Sequence, residues 1–351
     1  MFRRIVTTVR SLFGRAQQRP WITIGITLAI IGGGVLVYAV MRDRTPRGGD
    51  SASSSTEVLT HVATTPSWLD GTPLPEGTPQ PVAVAVVIDN APEAQPQSGL
   101  AVAPLVFEVP VEGRRTRFLA VYALGTSVER IGPVRSARPY VVGLADALAA
   151  PLVHVGGSPA ALTLLRSRRH INQYYDPPFV RDHSRPAPFN VFTSLGDLAS
   201  FVEARGWEVA HPRLWPFSET VPNALTTSDG GSIRIPFSGH ESSYVVEWKY
   251  DEVTGVYSRR RGGAVLRDVD GATVTATNVV VLSVRSRVLD AIGRLAIPVL
   301  EPPIVASFDG FTHAARATVF RDGQRIDGGW SWEDAPSDGG RFGLRQGRDT
   351  E

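Results

Sequence analysis

The residues with the greatest chemical potential crowd into one stretch, 86–140. There VVIDNAPEAQPQSGL, VFEVPVEGRRTRFLAVY and IGPVRSARPY alternate apolar runs with acids, amides and arginines. Asp89, Asn90, Gln97, Glu108, Glu112, Arg117, Arg135, Ser136 and Arg138 all fall within it. Polar groups beside buried strands need partners, and clusters of them mark candidate sites. Arg135 and Arg138, three residues apart, are two planar forks suited to clamping a carboxylate or phosphate; pairing with Glu108 or Glu112 is the competing role. Asp89 and Asn90 follow an apolar strand, where α/β folds commonly place site residues and where the same side chains can cap a turn before Pro92.

Two later segments add candidates. His154-Val-Gly156-Gly157-Ser158 ends a strand and opens a helix, so its N–H groups suit an anion, although the glycines serve a tight turn equally well. The loop 174–190 joins Tyr174, Tyr175 and Phe179 to Arg181, Asp182, His183, Arg185 and Asn190. Aromatic faces beside charged forks suit sugar or peptide recognition.

Catalytic signatures are weak. The GGS at Gly156 is not followed by GK[ST], neither Ser136 nor Ser158 sits in a nucleophile elbow, and the seven histidines show no HExxH spacing. A glycosidase pair needs carboxylates roughly 5–10 Å apart, whereas Glu108 and Glu112, four apart on one strand, stand roughly 13 Å apart at Cα. No catalytic residue, metal or cofactor is expected, and a cross-strand ion-pair ladder is the favoured role for the two glutamates.

The elements that position these residues are readable from local pattern. VAVAVVID reads as a buried strand, and PLVFEVPVEG and RRTRFLAVYAL as two strands meeting near Gly113-Arg114. A turn centred there sets Glu112 opposite Arg115 and Pro110 opposite Arg117. Alternation then puts Phe107, Val109 and Val111 on one face and Glu108 and Glu112 on the other. ARPYVVGLADALAAP has a helical period. A second helix follows Ser158 as N-cap and Pro159 as first residue. SLGDLASFVEARGW is an amphipathic helix capped by Ser194 and Asp197 and ended by Gly206.

The chain divides into a basic tail (1–20), an uncharged apolar run (21–41), a Ser/Thr/Pro/Gly-rich linker (42–81), an α/β (α+β) N-terminal domain (82–225), a smaller, mainly-β C-terminal domain (226–331) and a polar tail (332–351). The run WITIGITLAIIGGGVLVYAVM is long enough for a single transmembrane helix and longer than a secretory signal core. The tail takes five of the 36 basic residues and none of the 34 acidic ones, which leaves 31 against 34 and a net charge of −3 beyond it. The positive-inside rule therefore places the N-terminus in the cytoplasm and the body outside the cytoplasmic membrane. With the basic excess confined to the tail, nothing points to nucleic acid. The chain has no cysteine, which excludes disulfides and thiolate chemistry.

The order IDN, PQSGL, FEVPVEG, TRFLAVY, IGPVRSARPY, HVGGSPAAL and VFTS, with VEWKYDEVTGVYSRR, TNVVVL and ATVFRDG later, resembles the YerB-like bacterial lipoproteins across residues 82–331. The resemblance implies an α/β first domain and a strand-rich second one at the outer face of the membrane, and brings no known reaction. This chain departs from the pattern in lacking the lipid-attachment cysteine and in its C-terminus, GRFGLRQGRDTE, where the family continues into a closing Trp-containing strand. The expected function is a membrane-anchored extracytoplasmic protein binding an anionic or glycan-like envelope ligand, or an envelope protein partner. The alternatives are a hydrolase of cell-wall glycan or peptide and an interaction scaffold.

Overall fold

The computed structural model describes residues 64–207, 226–227, 229–237, 245–300, 314–333 and 341–346. The basic tail and the apolar run expected to span a membrane lie outside them. Among the described residues no helix is long and apolar enough to cross a membrane.

Order begins earlier than the composition of the linker implies. Thr64–Pro66 (β1) and Pro73–Pro75 (β2) form an antiparallel hairpin. Trp68 and Leu69 are buried, and the Trp68 indole donates to the Pro81 carbonyl at 2.8 Å. Two apolar side chains, each worth about 1.5–3 kcal/mol when buried, tie this Pro/Gly-rich segment down, so the folded region starts well before Val82.

The first domain is built on a mixed sheet of β3 (Ala83–Asp89), β4 (Leu105–Val111), β5 (Arg115–Ala123), β6 (Leu152–His154) and β7 (His170–Asn172), ordered β4-β5-β3-β6-β7. β4, β5 and β3 pair antiparallel; β3, β6 and β7 run parallel. All seven residues of β3 are buried, as its unbroken apolar run requires. Successive residues feed opposite cores. Ala83, Ala85 and Val87 join Leu119, Tyr140 and Leu144, while Val84, Val86 and Ile88 join Phe118, Ile131 and Leu198.

Three helices cover the sheet. Helix α1 (Pro139–Ala147) and helix α2 (Pro159–Leu165) both begin with proline, and the Ser158 hydroxyl caps α2 by accepting from the Ala161 N–H at 3.3 Å. In helix α3 (Leu195–Ala204) Ser194 accepts from the Asp197 N–H at 3.1 Å, and Gly206 closes the end at φ +59°. A short pair, β8 (Val180–Arg181) and β9 (Val191–Phe192), frames the aromatic loop.

One expected register is off by a residue. Val111 stands opposite Arg115 and Val109 opposite Arg117. The turn holds Glu112, Gly113 and Arg114, the last two at φ +69° and +55°, and is not centred on Gly113-Arg114. Glu112 therefore leaves the strand and faces neither Arg115 nor the side that Glu108 faces.

The described residues of the second domain are mainly strand, with one short 3-10 turn at Pro298–Leu300. β10 (Thr226–Thr227) joins the later sheet. β11 (Ser232–Pro236), β12 (Val245–Asp251), β13 (Val256–Arg261), β14 (Ala264–Val265) and β15 (Thr275–Ala276) form one antiparallel sheet. β16 (Asn278–Leu282), β19 (Ala314–Arg321), β20 (Gln324–Glu333) and β21 (Arg341–Gln346) form the other, in the order β10-β20-β19-β16 with β21 beside β20. Between them β17 (Arg287–Val288) and β18 (Leu295–Ala296) make a hairpin. Strand β20 runs past the expected boundary at 331, and the polar tail supplies β21, so the sheet does have a closing strand.

The two domains are not separate cores. Ile297, Leu300, Ala317 and Trp330 of the second belong to the core under α1, and Leu266 and Val274 to the core under α3.

Candidate functional site

Strand alternation decides the chemistry at the end of β3. Asp89 falls on the α1 side of the sheet and Asn90 on the other, so two neighbours in sequence enter separate polar networks.

On the α1 side, Asp89 accepts from the Arg135 Nε at 2.6 Å and from the Ala91 N–H at 2.7 Å. Glu112 takes Arg138 in a two-pronged contact, with Nε to Oε2 at 3.0 Å and Nη2 to Oε1, and takes Arg117 Nη2 at 3.4 Å. Arg138 spends its last nitrogen on the Ser136 hydroxyl (3.3 Å) and the Ala137 carbonyl (2.8 Å). Arg117 Nη1 donates to the Ser136 carbonyl at 3.0 Å. Burial would raise the Glu112 carboxyl, but the Arg138 hydrogen bond and the two guanidinium charges hold it below its ordinary range. Arg117 is pushed down to about 10 by burial and by the Arg138 charge.

The clamp expected of Arg135 and Arg138 does not form, because Arg138 is 5% exposed and fully engaged by Glu112 and its own loop. Arg135 is different. Its backbone is stitched between β3 and β6, its N–H to the Val87 carbonyl and its carbonyl to the Val155 N–H. Its guanidinium stands between two clefts. A smaller one of about 280 Å³ is lined by Asp89, Glu112, Arg115, Arg117, Arg135 and, from the β17–β18 hairpin, Ile292. A larger one of about 550 Å³ is lined by Arg135, Ser136, Gly156, Gly157, Asn172, Tyr174, Tyr175 and Arg181. Both open at the carboxyl ends of the parallel strands, where open α/β sheets bind ligands. Among the described residues no carboxylate lines the larger cleft, and Arg181 donates there to the neutral amides of Asn190 (3.2 Å) and Gln173 (2.9 Å) and to no acid. The tyrosines stand edge to face at 6.5 Å, 64% and 83% exposed.

On the opposite face, Asn90, Gln97 and Glu108 hold the two domains together. Asn90 Nδ2 donates to Glu108 (3.0 Å) and to Thr116 (2.7 Å), and Gln97 Nε2 to the Asp89 carbonyl (3.1 Å). Glu108 receives Arg259 of the second domain through both Nε (3.1 Å) and Nη2 (2.8 Å), and Arg261 donates to the Asn90 carbonyl at 2.6 Å. Asp268 accepts from the Ala101 N–H at 2.8 Å, and burial pushes it up to about 6. Asn90, Gln97 and Arg259 are 0–1% exposed, so these candidates are interface residues and line neither cleft. Glu108 and Glu112 share no space in which a bond could be cleaved between them.

Other candidates resolve into structural roles. His154 is buried, with Nδ1 at 2.7 Å from the Gly156 carbonyl and Nε2 at 3.0 Å from His170, so its ring does not reach the cleft. Burial, partly offset by the Gly156 carbonyl, pushes it down to about 4. The N–H groups of Gly156 and Ser158 are taken by Asn172 Oδ1 and the Ala137 carbonyl, and α2 is a single short helix, so this turn is no anion cradle. Gly156 sits at φ +59°, a conformation that favours glycine, and a Cβ there would stand 2.8 Å from the Tyr174 ring as placed. Asp182, paired with Arg130 and Ser184, and Arg185, which donates to the carbonyls of Ala94 and Pro96, brace the loop. Asn190 positions Arg181.

Arg115, Asn172 and Ile292 of the cleft walls, and Arg259, Arg261 and Asp268 of the interface, were not singled out from sequence as site residues. Asn172 ends a parallel strand, the one signal that could have found it. Among the described residues no group of three His, Asp or Glu could hold a metal ion.

Residues 69–208 match the N-terminal domain, and residues 233–338 the C-terminal domain, of a family described as protein of unknown function (DUF3048). A Bacillus subtilis (strain 168) protein named as a candidate lipoprotein, YerB, is 33% identical over 220 residues, which are 60% of this chain and 65% of the relative. The chain thus spans somewhat less than two thirds of that relative's length. The crystal structure of YerB from Bacillus subtilis superposes with a TM-score of 0.64 at 26% identity, covering 81% of this chain and 91% of that one.

Proposed function

Because this chain belongs to the YerB-like DUF3048 family and carries both of its domains in order, we propose that it is an extracytoplasmic envelope protein that binds an anionic, glycan-like ligand in the larger cleft. The apolar run at 21–41 would anchor it in the cytoplasmic membrane with the N-terminus inside. The lipoprotein designation of the relative supports that side of the membrane.

The observation that carries the ligand class is the composition of the larger cleft. Two exposed tyrosine rings stand beside Arg135, which meets Asp89 through Nε alone, and beside Arg181, whose described partners are neutral amides. An aromatic face gives a sugar ring apolar contact, and a guanidinium fork gives a carboxylate two parallel hydrogen bonds. Binding, not turnover, fits a cleft whose lining offers hydroxyls, amides and guanidiniums but neither a carboxylate nor an imidazole among the described residues.

The test is retention of solubilised peptidoglycan fragments by the full chain in non-ionic detergent. Tyr175→Ala and Arg181→Ala should each weaken retention about tenfold, the loss of one stacking contact or one charged hydrogen bond. Retention equal to the parent in both variants would remove this reading.

A further inference from the structure

We propose that the smaller cleft is a separate binding site for a phosphate-type oxyanion, and that the second domain completes it through Ile292. The argument begins with charge. Arg115, Arg117 and Arg135 line the cleft, Arg138 stands behind Glu112, and Asp89 and Glu112 are the acids that meet them. Four guanidiniums face two carboxylates, which leaves two positive charges unmatched. Arg117 and Arg138 are 6% and 5% exposed, so water does little to screen that excess, and buried charge of one sign is costly until it is paired.

Donor geometry agrees. Arg135 hydrogen-bonds through Nε alone, to Asp89, its guanidinium lies 5.6 Å from the Phe189 ring centroid, and its two terminal nitrogens meet no described acceptor. The half-buried Arg115 side chain makes no hydrogen bond or ion pair among the described residues, and the buried Arg117 Nε has no partner. Guanidinium forks match tetrahedral oxyanions by paired N–H bonds. The depressed Arg117 basicity, caused by burial and the neighbouring Arg138, is what an incoming anion would relieve.

Ile292 sets the other wall. It lies in the β17–β18 hairpin turn of the second domain, is 66% exposed, and with Val111 supplies the apolar side chains of the cleft. It offers apolar contact to the carbon substituent of a phosphoester. Inorganic phosphate, a soluble phosphoester and a lipid headgroup share the recognised chemistry.

The experiment is thermal unfolding of the full chain in non-ionic detergent, in phosphate and in chloride of equal ionic strength. Binding to the folded state raises the midpoint in phosphate. Arg115→Gln and Ile292→Asp, both changes at partly open positions, should each cut the phosphate-specific shift by at least half, a loss of about tenfold or more in affinity for a charged hydrogen bond removed or a like charge introduced. Phosphate also stabilises proteins by exclusion from their surface, so an equal shift in parent and both variants overturns the proposal, as does no shift at all. A further arm adds glycerol phosphate or phosphatidylglycerol to the micelles: protection by the first alone assigns a soluble or polymer-borne phosphate, protection by the second alone a lipid headgroup. The probes carry no sugar ring for the larger cleft, so the result is independent of peptidoglycan-fragment retention.

Discussion

Asp89 and Asn90 are adjacent in the chain and end in opposite kinds of environment. Asp89 opens onto a cleft with surplus positive charge, while Asn90 is sealed in a network that joins two domains. Both networks combine arginine with carboxylate at the same edge of the same sheet. The difference lies in what surrounds them. On the sealed side a strand of the second domain brings Arg259 against Glu108, and Asn90, Gln97 and Arg259 are closed to solvent. On the open side only a hairpin turn approaches, and guanidinium nitrogens stay without protein acceptors. Polar clusters that both pair arginine with carboxylate are thus sealed as mortar or left open to a cleft according to whether a second layer of protein covers them.

The contrast can be broken at its strongest point first. Glu108→Ala leaves Arg259 buried without its carboxylate and should cost about 3–5 kcal/mol, read as a lowered urea midpoint; a loss near zero would mean the sealed network holds nothing together. Glu112→Gln comes next. It keeps an acceptor for Arg138 but removes one of two compensating charges, so a loss of about 1–3 kcal/mol is expected in chloride, with part of it recovered in phosphate. Unchanged stability in both salts would show the open cluster indifferent to its charge. The smallest effect is on pH dependence. Asp268 has a folded value of about 6, above its ordinary 3.8, because burial disfavours its charge. Its contribution to stability is therefore complete below about pH 4 and is lost as pH rises through about 6. Urea midpoints of Asp268→Asn should fall less than those of the parent between those values; parallel curves would contradict the assignment.

Local signals carried much of the fold. The Ser158 and Ser194 caps, the paired prolines that open helices and the alternating run of β3 depend on neighbours a few residues apart, and the structure places them as the sequence predicts. The β4–β5 turn was one residue longer than its glycine indicated, since it takes in Glu112 as well as Gly113 and Arg114, and that single residue carries Glu112 out of the strand. Of the candidate residues, Arg135, Gly156 and Arg181 line the larger cleft, whereas Arg138 is engaged by Glu112, a partner that depends on that same turn. The role of Glu108 was illegible in principle: its partner Arg259 lies 151 residues away, in a run of three arginines that reads only as strand.

The interleaved core has a consequence for how such a protein can be inherited. Helix α1 packs on the short turn Pro298–Leu300, and Trp330 completes the same core from near the end of the chain. Recombination that separated the two halves would strip each of apolar cover, so neither half is expected to be inherited in a working form without the other.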